Sequence, residues 1–182
     1  MTKLITFVNN TNNSTFFNPI NGIYSKFDKN NLIDFFLFNF FILHIDFWDK
    51  NYFIARNSHP NKFFLVPWDF DLSFGQNASD PLLSYEEAEI HEKNLLYDRL
   101  LKNNTFRQNC TDRWKQLRGN SWSNESIFTI LSRIYGESKN YLKLDLNIWN
   151  QSHNPEEYIE KLEDWISDRL SFCDEHFKNN FV

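Results

Sequence analysis

Two stretches of the chain gather side chains fit for chemistry. In "LHIDFWDKNYF" (43–53), His44 and Asp46 stand two apart, and Asn51 follows Asp46 by five. In "KFFLVPWDFDLSFG" (62–75), Asp69 and Asp71 close an almost wholly apolar run. Carboxylates held that near one another repel and resist desolvation, which leaves two readings: a cation sits there, or the pair is a solvated turn. A hard cation such as Mg²⁺ takes oxygen ligands and completes its shell with water or phosphate, and Asn51, Asp69 and Asp71 all offer oxygen. The blander reading of Asp46 and Asn51 is a polar turn after a helix, since three fixed positions arise easily by chance in a chain rich in Asn and Asp. His44 reads as structural. His59, His91, His153 and His176 share no ligand spacing.

The surrounding elements must position these groups. With 182 residues, including 20 Phe and 6 Trp, the chain has ample core material for one domain. Only 4 Gly and 5 Pro argue against a sheet-and-turn architecture. A net charge of −5 with scattered Lys and Arg leaves no basic face for nucleic acid. Cys110 and Cys173 have no metal-type spacing and read as free thiols, with a single disulfide as the alternative. The N-terminus lacks the apolar core and cleavage site of a signal peptide. "FFLFNFFIL" (35–43) is far shorter than the ~20 residues of a membrane span and reads as a buried helix.

Residues 1–27 are polar and Asn-rich, and are expected to be loop with one short strand. Asp28 or Asn30 is placed to cap a central helix from about Asn31 to Leu43. "YFIAR" and "KFFLVPW", separated by "NSHPN", predict a buried β-hairpin. Helices come after it. Ser123 or Asn124 is placed to cap one of them, and Asn154-Pro155-Glu156-Glu157 opens the last, whose apolar face runs from Tyr158 to Phe177. The expected fold is mainly α with one buried β-hairpin, divided into a segment 1–27 and a lobe 28–182.

The order His44-x-Asp46-x-x-x-x-Asn51, two short strands, then Asp69 is the layout of a protein-kinase active site. The chain resembles the spore-coat CotH kinase family, an atypical protein-kinase-like group. The residues that carry the likeness are "LIDFFLFNFFIL", "IDFWDKNYFIAR", "PWDFDLSFG" and the later helical stretches "LLYDRLLKNNTFRQNCTDRWKQL" and "YIEKLEDWISDRLSFCDEHF", so it covers about residues 28–178. The resemblance implies a catalytic Asp46 that takes the substrate hydroxyl's proton. It implies Asn51 and Asp69 as the residues that bind the nucleotide's metal, with Asp71 a further ligand or a support. Mg²⁺ and ATP are the implied cofactors, and a protein substrate, of spore-coat or surface type, is the implied partner. Phe70 comes after Asp69 as in kinases, but Asp71 stands where kinases usually have Gly.

Such kinases carry a preceding β-rich lobe with a phosphate-steadying lysine. Fewer than 30 residues precede the resemblance here, so the chain is expected to be the C-terminal lobe alone, with the missing lobe as a second partner. A lobe of that kind has a non-catalytic alternative, a structural or surface-interaction module. A dehalogenase-type phosphatase reading of D-x-D-x-S at Asp69–Ser73 fails on the sequence beyond Gly75, which is helix after helix where that fold needs alternating strands. The compartment is not legible in this sequence.

Overall fold

The computed structural model describes residues 2–44, 48, 50–75, 90, 92–149 and 154–180. In chain order these form α1 (Thr2–Asn10), α2 (Asn13–Phe16), a 3₁₀ turn (Ile23–Ser25), α3 (Lys29–Phe41), β1 (Tyr52–Ala55) and β2 (Phe64–Pro67). Then come α4 (Leu95–Leu101), α5 (Asn104–Arg118), α6 (Asn124–Ile148), α7 (Pro155–Glu175) and a π-turn, His176–Asn180. The fold is mainly helical with a single antiparallel hairpin among the described residues, as the hydrophobic patterning predicts.

Helix α3 is the centre. Asp28 caps it by accepting from the Asn31 amide. Eight of its 13 residues are buried, because α5, β2 and α7 all pack on it. Asn39 survives in this apolar helix by donating to the Phe35 carbonyl, 2.7 Å away, and meeting the His44 ring at 2.9 Å. At its C-terminal end, buried Arg169 of α7 donates to the carbonyls of Phe40 and Phe41. Carbonyls in the last turn of a helix lack the amide partner of a further turn, and the guanidinium both bonds them and complements the negative end of the helix.

The hairpin pairs Tyr52 with Pro67, Phe53 with Val66, Ile54 with Leu65 and Ala55 with Phe64. Asn31 of α3 substitutes for a third strand: its side chain accepts from Leu65 N at 2.7 Å and donates to Leu65 O at 3.0 Å. Phe63 pairs with Lys26 and Asp28 through two backbone bonds, which ties the N-terminal segment to the hairpin's far end. The hairpin is buried on one face only. Phe53 (56% exposed) and Val66 point outward with Trp68 (60% exposed), and the Phe53 and Trp68 rings meet edge to face.

The N-terminal segment departs from expectation. Thr2–Asn10 is a helix rather than loop or strand. Leu4 and Val8, one turn apart, reach the core, and Arg99 of α4 donates to the Val8 carbonyl at 2.6 Å. Packing overrides the β-type composition of "LITFV". Asp28, Ser123 and Asn154 cap their helices as predicted. Cys110 and Cys173 are both buried and free, and burial pushes the Cys173 thiol up to about 12.

Candidate functional site

The site is built at the open end of the hairpin. Asn51 directly precedes β1, and Trp68 directly follows β2, and Trp68 N donates to Asn51 O at 2.8 Å. Asn51 and Asp69 therefore leave the same end of one rigid ribbon. Both take left-handed backbone, with φ of 63° and 60°. L-residues avoid that region, and Asn and Asp are the non-glycine types that enter it most readily. Asn51 is half-buried, while Asp69 and Asp71 are exposed.

Asp46 lies outside the described residues, but what brackets it is defined. His44 is fully buried, and its Nδ1 meets the Asn39 side chain. Trp48 is fully buried against Phe36 and Tyr97. Asn94, at the start of α4, donates to the Trp48 carbonyl at 2.9 Å and to the Tyr52 hydroxyl at 3.4 Å, while its Oδ1 accepts from Tyr97 N. On either side of Asp46, His44 and Trp48 are thus anchored in the core.

The segment after Asp69 is tied back to the same helix. The Phe70 ring sits 5.4 Å from the His44 ring and 5.6 Å from Phe38. Ser73 closes the turn by donating to Phe70 O at 2.5 Å, and Phe74 N donates to Ile42 O at 2.6 Å. Gly75 comes next with φ of 76°, and a Cβ there would overlap the Trp165 indole of α7. Glycine is needed here twice over, for the backbone conformation and for the close approach. The structure sets Asn51 and the start of the 68–71 segment at one end of the hairpin, and Phe70 against His44.

Sequence reading missed the supports of this site: Asn31, Asn39, Trp48, Asn94, Gly75 and Arg169. The lone Asn39 within an apolar run was the one legible signal, since a buried amide must find partners. Among the described residues, no group of three or more His, Cys, Asp or Glu converges on one point. The donors that Asn51, Asp69 and Asp71 present are an amide and two exposed carboxylates. An all-oxygen set open to water fits a hard divalent cation that keeps part of its hydration shell.

The model of one protein family, CotH kinase protein, matches residues 1–173 of the chain. The chain belongs to the CotH kinase family. The match runs across the boundary expected near residue 28, so the helical N-terminal segment is part of the family region. No curated protein and no solved structure matches the chain. No helix among the described residues is long and apolar enough to cross a membrane.

Proposed function

We propose that this CotH-family lobe carries the metal and hydroxyl side of an ATP- and Mg²⁺-dependent phosphotransfer to Ser or Thr hydroxyls of a protein. The observation that supports this most is the pair Asn51 and Asp69, set in left-handed backbone at one end of the hairpin. Non-glycine residues in this region cluster at functional sites, where the surrounding structure holds them. Asn51 and Asp69 would hold the metal, and Asp71 either joins them or supports Asp69 by hydrogen bonding. Asp46 orients the acceptor hydroxyl and takes its proton. Magnesium, when bound, supplies charge stabilisation on the nucleotide's phosphates. The anchoring of His44 and Trp48 on either side of Asp46, with the Phe70–His44 contact, supports this reading, since a positional catalyst needs its groups held before nucleotide arrives.

A second reading is a non-catalytic interaction or structural module, and it rests on the outward apolar face of the hairpin. Phe53, Val66, Trp68 and Phe70 lie exposed beside the site, an apolar surface of the kind that marks protein-interaction sites. One experiment separates the readings. The full-length protein and its Asp69→Asn variant are assayed for transfer of labelled γ-phosphate to protein in the presence of Mg²⁺. Asn keeps the left-handed backbone accessible and removes the charge, so loss of transfer supports the phosphotransferase. Undiminished transfer by the variant refutes the assignment of Asp69, and no transfer by either protein favours the module.

A further inference from the structure

Helix α6 is 25 residues long, and none of its residues is buried. Its apolar side chains form two stripes. On the first, Phe128 and Leu131 pack against the core, Tyr135 and Leu146 are half-buried, and Leu142 is 41% exposed. The second stripe is Ile127, Ile130, Ile134, Tyr141, Leu144 and Ile148, spaced alternately by three and four residues, with Glu137 filling the one gap. At 3.6 residues per turn the two stripes lie roughly 130° apart around the helix. Ile127 is half-buried against the core, and from Ile130 onward the second stripe faces outward: Ile134 is 51% exposed, Tyr141 73% and Ile148 74%.

A strict 3–4 alternation is the seam of a left-handed two-helix coil, in which each knob enters a hole on the facing helix. The charge pattern selects the occupant and its direction. A parallel copy would set Glu137 against its own counterpart, two like charges within an apolar seam. An antiparallel copy with its dyad level with Lys139 sets Ile130 against Ile148, Ile134 against Leu144 and Glu137 against Tyr141, each twice. The Tyr141 hydroxyl then donates to the Glu137 carboxylate, which also keeps its Arg133 partner, 3.3 Å away in the single chain. Antiparallel helix dipoles add to the preference.

We propose that the outer stripe of α6 is a self-association surface that joins two copies of this chain through antiparallel α6 helices. It stands apart from the phosphotransfer reading, because α6 contributes nothing to the Asn51–Asp69 site. Sedimentation equilibrium of the full chain should return a dimer. Ile134→Glu with Leu144→Glu places like charges against one another in two layers, and should weaken the dimer on the order of a hundredfold or more. Its circular dichroism should stay unchanged, since both side chains are exposed in the single chain. Ile134→Glu with Leu144→Lys pairs opposite charges only if the helices are antiparallel, and should dimerise at least about tenfold more tightly than the double-Glu variant. A monomeric wild type, whether or not it binds lipid vesicles, overturns the proposal. So does a dimer indifferent to the double-Glu change, or equal weakness of the two variants.

Discussion

Asn94 offers a direct test of how the 44–51 loop is held. Its side chain makes three bonds at a position only 8% exposed: the cap to Tyr97 N at 3.1 Å, the bond to Trp48 O at 2.9 Å and a longer one to the Tyr52 hydroxyl. Asn94→Ala removes an N-cap, worth about 1 kcal/mol. It also strands the Trp48 carbonyl beside a fully buried indole, which costs about 1–3 kcal/mol. The sum is a loss of about 2–4 kcal/mol. Asn94→Asp separates the two contributions. It keeps the capping acceptor but has no amide to donate and turns a carboxylate toward the Trp48 carbonyl, so it should lose the larger share while α4 stays capped. Urea unfolding followed by circular dichroism reads both variants as a lower midpoint at unchanged slope. If neither variant loses more than about 0.5 kcal/mol, Asn94 does not clamp the loop and the reasoning fails.

Two further outcomes can be measured in the same way. Gly75→Ala should destabilise by about 1–2 kcal/mol for the left-handed backbone alone, and by more as Trp165 is displaced. A red-shifted or quenched indole emission would report that displacement, and an unchanged midpoint would refute it. His176 packs among Phe40, Phe172 and Phe177, and burial, with Arg169 adding to it, lowers its pKa to about 4. The unfolded chain then binds the extra proton between about pH 6.5 and pH 4, so stability falls as pH falls through that window, by about 2 kcal/mol at pH 5. His176→Phe should remove this slope, and an identical pH profile in the variant would refute the assignment.

The hairpin and α3 were legible because periodicity, caps and the Asn-Ser-His-Pro-Asn break all agree there. The long α7 was legible for the same reason, since Asn154, Pro155 and two glutamates mark its start. Residues 2–10 were not. "LITFV" has the composition of a strand, and only contacts with Arg99 and the core make it a helix. The positions of Asn51 and Asp69 were readable as a spacing, but their shared hairpin end depends on a register that sequence alone leaves open. Asn94 reads as one more polar residue in "HEKNLLYD". Its partner Trp48 lies 46 residues away, and separations of that size leave no local pattern.

The left-handed backbone at Asn51 and Asp69 has a consequence for how this site can drift. At most positions a lost function frees the residue to become almost anything. Here the ribbon itself tolerates glycine, asparagine and aspartate well and the rest poorly. A copy of this chain that had abandoned chemistry would still be biased toward those three types by folding, although Leu43 and Phe74 show that the fold can hold other residues at positive φ. A glycine at either place would keep the backbone and lose the oxygen, so it is the substitution by which chemistry could be lost at the least cost to the fold.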